Sequence, residues 1–247
     1  MLVKSQVKYI QTLGHKKFRD ADEVFVAEGP KIVAEMLQSE IVAGVYCFAT
    51  ENWLLAQAHW LKAGELQIIT VSEKELESIS FLSTPHEVLG VFKKPVFKQP
   101  SVFSGITLLL DTIQDPGNLG TILRTADWFG VQRVVCSPHT VDVFNPKVVQ
   151  SAMGSLVRVE VIYTDLADYI RERPEIPVYA ASLEGDDLHA KIHLPHAIIL
   201  LGNESKGIRP ELESLATRKI RIPGKGRAES LNVAVAGGIL LSLITAR

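Results

Sequence analysis

The 247-residue chain is poor in cysteine, modest in aromatics and carries no large excess of charge of either sign. Its two cysteines, Cys47 and Cys136, lie far apart with no C-x-x-C partner. That argues against a disulfide framework and a cysteine metal site, and points to a reducing, cytoplasmic compartment. No apolar run approaches the ~18 residues of a membrane-spanning helix, and no charged segment followed by an apolar stretch opens the chain. With 26 Lys and Arg against 28 Asp and Glu the formal net charge is −2. A nucleic-acid partner would therefore have to be met by a local patch rather than by the whole surface. Familiar signatures are also missing. There is no G-x-x-x-x-G-K-[ST] and no G-x-S-x-G, so neither a P-loop nor a nucleophile elbow is supported. Gly224-x-Gly226-x-x-Glu229 imitates a dinucleotide fingerprint but places Glu229 where a small residue is needed. His189, His193 and His196 are kept off a common helix face by Pro195 and read as a surface loop, not a zinc site.

What is present divides into two halves. In the first, Pro30–Gln38 has a helical period, with Ile32, Val33, Met36 and Leu37 on one side. Gly44–Phe48, Leu66–Val71 and Val88–Phe92 read as strands. Lys93–Gly105, with two prolines, three lysines and no helical period, reads as a linker. The second half alternates. Strands are expected at Ile106–Asp111, Arg133–Cys136, Val157–Tyr163, Val178–Ser182, Ala197–Leu201 and Lys219–Ile222, with helices between and after them. Such alternation implies an α/β fold with a mostly parallel sheet, in which ligands bind beyond the carboxyl ends of the strands.

Three loops at those ends are more polar than a turn requires. Asp111–Gly130 has Asn118 as an expected helix cap, and Arg124 placed to pair with Asp127 one turn on or to face a ligand. In Gly202-Asn203-Glu204-Ser205-Lys206-Gly207, turn geometry explains Gly207, and Pro210 and Glu211 suit the helix that follows. Asn203, Glu204 and Lys206 have no such explanation. In Ile220–Ile244, Ser230 is expected to cap a small-residue helix, and Asn232 is a mediocre helix former in its first turn. At the other end of the chain, Lys4, Lys8, Lys16, Lys17 and Arg19 all precede the first acidic residue, Asp20. They form either a solvated helix face, with Val7, Ile10, Leu13 and Phe18 turned to the core, or a basic patch for nucleic acid.

In this order the loops resemble the three signature motifs of the SpoU (TrmH-like) RNA ribose 2′-O-methyltransferases of the SPOUT superfamily. Asp111 to Ala126 fits D-x-x-x-D-P-x-N-x-G-x-x-x-R-T-A, and Leu201 to Gly207 fits L-G-x-E-x-x-G. Ile222-Pro223, a short spacer and Ser230-Leu231-Asn232-Val233-x-x-Ala236 fit the third. Lys8-x-Ile10 through Lys17 and Arg19, followed by Phe25-Val26-Ala27-Glu28-Gly29, is similar to the family's L30e-like substrate-binding extension.

The resemblance implies an L30e-like RNA-binding domain over residues 1–95, a linker over 96–104, and a SPOUT methyltransferase domain over 105–247. It further implies a deep trefoil knot, S-adenosylmethionine as methyl donor without a metal, and a homodimer acting on RNA, ribosomal rather than transfer RNA. The family's roles carry over as follows. Arg124 is the catalytic centre, and Asn118, Glu204, Ser230 and Asn232 fix the arginine, the methionine part of the donor and the target ribose. Gly202, Ile222 and Leu231, with Ala181, Asn203 and Pro223, hold the donor. Lys8, Lys16, Lys17, Arg19, Lys206, Lys225 and Arg227 meet RNA. Competing readings are 2′-O-methylation of tRNA, base methylation by a related enzyme, a non-catalytic RNA-binding scaffold and a nucleotide-binding enzyme.

Overall fold

The computed structural model describes residues 2–61, 64–97, 104–188 and 194–245. His189 and His193, and most of the expected linker, lie outside the described residues. The chain divides into two compact units. One comprises Met1–Lys98 with Asp142–Val157, the other Gln99–Val141 with Arg158–Arg247.

The first unit runs α1 (Lys4–Thr12), α2 (Lys16–Asp22), β1 (Val24–Glu28), α3 (Pro30–Gln38), β2 (Gly44–Ala49), α4 (Glu51–Gln57), β3 (Gln67–Thr70), α5 (Glu73–Ile79) and β4 (Val88–Lys93). Its four-stranded sheet has the order β1-β4-β2-β3, antiparallel except for β2 with β3. β1 was not expected as a strand. All five of its residues are buried, so the period-2 alternation that marks a half-exposed strand is absent. Helix α3 begins where expected, because Pro30 occupies its first turn and needs no amide hydrogen there.

The N-terminal basic run does not form one continuous helix. It breaks at Leu13–His15 between α1 and α2, which resets the helical phase. Ile10 and Leu13 stay buried, but Phe18 turns outward at 41% exposure and Arg19 takes the inward place at 1%. The expectation that Arg19 meets RNA is therefore corrected. Its guanidinium donates to the Leu13 carbonyl at 2.7 Å and forms an ion pair with Asp142. Asp142 heads a segment that is remote in sequence yet packs in this unit through α7 (Pro146–Ala152), with the Phe144 ring 5.2 Å from that of Phe25. Lys8, Lys16 and Lys17 remain exposed. Lys16 is engaged with Asp20 at 2.7 Å, and hydrogen bonds from Lys16 and then Lys94 hold the Asp20 carboxyl below the usual carboxylate range.

The second unit runs β5 (Ile106–Leu110), α6 (Pro116–Trp128), β6 (Arg133–Cys136), β7 (Glu160–Tyr163), α8 (Leu166–Arg171), β8 (Val178–Asp187), β9 (Ala197–Leu201), α9 (Pro210–Ser214), β10 (Arg218–Arg221) and α10 (Val233–Ile244). All five strand pairs are parallel, in the order β10-β8-β9-β5-β6-β7. The central strands β5 and β9 are buried along their whole length, as continuous apolar runs in a parallel sheet demand. From β5 the chain winds outward through β6 to β7, and β8, β9 and β10 occupy the other side. The direction of winding therefore reverses between β5 and β9, the place where open α/β sheets leave a crevice for ligands.

Burial of the Arg19–Asp142 pair makes removal of one partner costly, since the other charge is left without compensation. Arg19→Ala should destabilise the protein by about 3–5 kcal/mol in urea unfolding. Lys17→Ala, at an exposed position, should change stability by less than about 0.5 kcal/mol.

Candidate active site

The site is built on the carboxyl ends of β5 and β9. Leu110 and Leu201 are paired in register, so the chain leaves both strands at the same level. Asp111 continues the ladder with its amide on the Leu201 carbonyl at 2.9 Å. Its carboxylate, 1% exposed, accepts from the Arg209 amide at 3.0 Å and from Arg209 Nε at 2.9 Å. The next residue, Thr112, has φ of 60°, a left-handed conformation that is rare for a β-branched side chain. That twist aims its carbonyl at Asn203, whose Nδ2 donates to it at 2.7 Å, while the Thr112 amide is held by buried Ser137 Oγ at 2.8 Å. Two consecutive residues thus grip both ends of the Gly202–Arg209 loop.

Inside that loop Asn203 is fully occupied. Its main chain exchanges two hydrogen bonds with Gly207, and its Oδ1 accepts from the amides of Ser205 and Lys206, each at 3.0 Å. Asn203 therefore shapes the turn, and its polar atoms are already taken up in place of the expected donor contact. Gly202 has a steric reason inside the loop. A Cβ there would lie 2.3 Å from Gly207 C and from Ile208 N. The positive φ of Gly207, 68°, closes the turn.

The other two loops supply amides. Helix α6 starts earlier than expected: Asp115, not Asn118, is its cap, accepting from the Asn118 amide at 2.8 Å, with Pro116 in the first turn. This frees the Asn118 side chain, whose Nδ2 donates to Glu204 Oε1 at 2.8 Å. A second correction mirrors the first. Helix α10 is capped by Asn232 and not by Ser230: Asn232 Oδ1 accepts from the amides of Ala234 at 2.9 Å and Val235 at 3.3 Å. Its Nδ2 donates to Asn118 Oδ1 at 2.9 Å. The three loops are joined in series by the side chains of Asn203, Glu204, Asn118 and Asn232.

Arg124 lies on the solvent side of α6, away from the buried face of Leu119, Ile122, Leu123 and Ala126. The expected structural pairing with Asp127 does not form, since Asp127 is held by Arg158 at 2.9 Å. Among the described residues the Arg124 guanidinium has no ion-pair or hydrogen-bond partner. Ser230 is exposed before the helix, and Lys206, Lys225 and Arg227 are exposed as well. Ala181 sits where β8 leaves β9: the pairing of those strands ends at Ala180, and β8 bulges before it meets Ile220 at Asp186. The loop from Ile222 to Leu231 is largely exposed, and Leu231 keeps half its surface uncovered. Neither cysteine takes part. Burial raises both thiols, Cys47 to about 12.

Polar loops gathered where the strand order of a parallel sheet reverses mark the usual ligand site of an open α/β domain. The chain belongs to the SpoU rRNA Methylase family, whose profile matches residues 105–242, and residues 4–90 match the MRM3-like substrate binding domain. It is 33% identical over 239 residues to the 23S rRNA (guanosine(2553)-2′-O)-methyltransferase RlmP of Bacillus subtilis, covering 96% of this chain and 94% of that protein. A solved TrmH-family structure from Porphyromonas gingivalis superposes with a TM-score of 0.85 at 39% identity, over 98% of this chain and 97% of that one. The AdoMet-bound rRNA methyltransferase from Sinorhizobium meliloti gives a TM-score of 0.81 at 31% identity, over 98% and 94%.

Proposed function

We propose that the chain transfers a methyl group from S-adenosylmethionine to a ribose 2′-hydroxyl of ribosomal RNA. The observation that carries this reading is the linked set Asn203–Glu204–Asn118–Asn232, with Arg124 left unpaired on the same helix as Asn118. Among the described residues this hydrogen-bonded set holds only amides and a carboxylate, which suit binding and polarising an external hydroxyl rather than forming a covalent intermediate. Ribosomal RNA is favoured by the likeness to RlmP along nearly the whole chain, and RNA binding by the match of residues 4–90.

The residues fit the donor. Among the described residues no hydrogen bond engages the main chain of Pro223 to Leu231, which leaves a row of free peptide groups beside the uncovered Leu231 side chain. Such groups suit an adenosine, with Gly202, Ile222 and Leu231 holding its edges and Ala181 and Pro223 its ring. Ser230, exposed just before α10, is assigned to the methionine part of the donor. When bound, S-adenosylmethionine supplies a methyl carbon already activated by its sulfonium. What the chain must add is alignment, and stabilisation of charge as it develops on the ribose oxygen. Arg124 binds the phosphate of the target nucleotide in its fork and lowers the energy of the incipient alkoxide; a guanidinium stays protonated and is a poor base. Exposed Lys8, Lys16 and Lys17 in one unit, and Lys206, Lys225 and Arg227 in the other, supply phosphate contacts. The cytoplasm, where the thiols of Cys47 and Cys136 stay reduced, is the compartment this chemistry suits.

The working form is a homodimer. Support comes from an open groove between α6 and α10, about 490 Å³, lined by Thr121, Thr125, Val235, Gly238, Ile239 and Leu243 among others. Val235 is half exposed beside it, and Trp128 at the end of α6 is 84% exposed. A second copy of the chain would cover these apolar side chains, so sedimentation equilibrium should return twice the chain mass, and a monomer at micromolar concentration would contradict the dimer.

Wild-type protein incubated with unmethylated ribosomal RNA and donor should yield 2′-O-methyl nucleosides on digestion. Arg124→Ala should lower turnover by at least about 100-fold, the scale of losing a charge-stabilising group. Donor affinity measured by calorimetry should remain within a few-fold. Equal methylation rates for the two proteins at saturating RNA would remove Arg124 from the reaction.

A further inference from the structure

The turn that resets the helical phase of the N-terminal basic run is fixed by two buried charged side chains. Arg19 donates to the Leu13 carbonyl at 2.7 Å and pairs with Asp142. Glu28, buried at the end of β1, accepts from the Ser80 hydroxyl and from the Phe81 amide at 2.8 Å. Phe81, held in this way, packs directly against the turn: a Cβ on Gly14 would come 2.8 Å from its ring. Leu13-Gly14-His15 is therefore a built turn, tied to residues that are remote in sequence.

The consequence of that turn is the outward face of α2. His15, Lys16, Lys17 and Phe18 follow one another and are all exposed. The Lys17 ammonium stands 6.0 Å from the centre of the Phe18 ring, and the His15 ring meets that ring edge to face at 6.4 Å. A single exposed apolar side chain is ordinary. Phe18 differs from the other exposed apolar residues of this unit, Val3, Leu55 and Val96, which are aliphatic. It alone among them offers a π-face, with a cation and an imidazole beside it. The acidic residue next in sequence, Asp20, is already compensated, since its carboxylate is held by Lys16 at 2.7 Å and by Lys94 at 2.6 Å.

We propose that Phe18 is a stacking platform for an unpaired base of the RNA, with Lys17 meeting the adjoining phosphate. This rests on the RNA substrate proposed above and adds the form in which that RNA is read: a single-stranded loop or bulge, not a continuous duplex. Bases inside a duplex are stacked on one another and offer no free face, whereas an unpaired base does. Stacking is tolerant of base identity, so Phe18 selects an open strand and not a particular base. Anchoring of the turn through Arg19 and Glu28 lowers the ordering cost of binding, because the platform is in place before RNA arrives.

Phe18→Ala, Phe18→Leu and Phe18→Tyr are to be compared with the wild type, with Leu55→Ala as the control that removes an exposed aliphatic side chain of the same unit. All four should melt within a few degrees of the wild type, since both positions are exposed. Affinity is measured for a single-stranded RNA oligonucleotide of mixed sequence and for the same oligonucleotide annealed to its complement. Rates are measured on in vitro transcribed, unmethylated 23S rRNA. Phe18→Ala and Phe18→Leu should each bind the single strand about 10-fold more weakly, the scale of one lost stack, and raise KM for 23S rRNA to match. Their kcat at saturating RNA and their affinity for the duplex should stay close to those of the wild type. Phe18→Tyr and Leu55→Ala should bind the single strand as the wild type does. The slope of log affinity against log salt should be unchanged in Phe18→Ala and shallower by about 0.7 in Lys17→Ala. Wild-type affinity for the single strand in Phe18→Ala would overturn the proposal, and a sedimentation mass that falls in the same variant would then give the ring to a protein contact. Equal affinities in Phe18→Leu and Phe18→Tyr would also overturn it, as would a loss of the same size on the duplex. Absence of 2′-O-methyl product from the wild type, with single-strand binding still dependent on Phe18, would instead remove the proposed function and leave the platform standing.

Discussion

The arrangement depends on one carboxylate that can only accept. Glu204 receives hydrogen bonds from Asn118 and Asn203, and everything the three loops present to a ligand follows from the direction those bonds impose. Each bond is worth only about 0.5–1.5 kcal/mol net, somewhat more where the acceptor is charged. Their importance is orientation rather than stability. An asparagine amide turned through 180° would swap a donor for an acceptor at the position meant for substrate, and the carboxylate and the N-terminus of α10 jointly forbid that.

The carboxylate is in turn placed by the sheet. Parallel pairing of Leu110 with Leu201 brings two chain exits side by side at the point where the winding reverses. The left-handed Thr112 turns its carbonyl to one end of the Gly202–Arg209 loop, and the buried Asp111 carboxylate holds the other. Backbone strain of this kind persists only where the surroundings over-determine it. Here they are the Ser137 hydroxyl on the Thr112 amide and the Asn203 amide on its carbonyl.

β5 and β9 were legible in the sequence because buried parallel strands are unbroken apolar runs, and those two runs end in the first two polar loops. β1 was not legible, since its alternation is lost to burial on both faces. The caps were misread for a shared reason. Both Asn118 and Ser230 have side chains that cap helices well, and Asp115 and Asn232 compete for the same duties two or three residues away. Only geometry decides which residue leaves the extended conformation first. The outcome matters for function: Asn118 is free to join the site because Asp115 relieves it, and Asn232, the residue with no evident helical purpose, turns out to link cap and site. Arg19 was misplaced because the break after Leu13 resets the helical phase, which a periodicity spanning both helices does not register. The polarity of the amide chain was beyond the sequence altogether, because it needs three loops separated by up to 114 residues to be seen in contact.

The central claim is that the loops act as one unit through Asn118, although Glu204 and Asn232 are joined only by way of it. A double-mutant cycle with Glu204→Ala and Asn232→Ala on the rate of 2′-O-methylation measures this directly. The account predicts a coupling energy above about 1 kcal/mol, with the double variant little slower than either single one. Rate effects that add within about 0.5 kcal/mol would show that the two residues act independently and would contradict it.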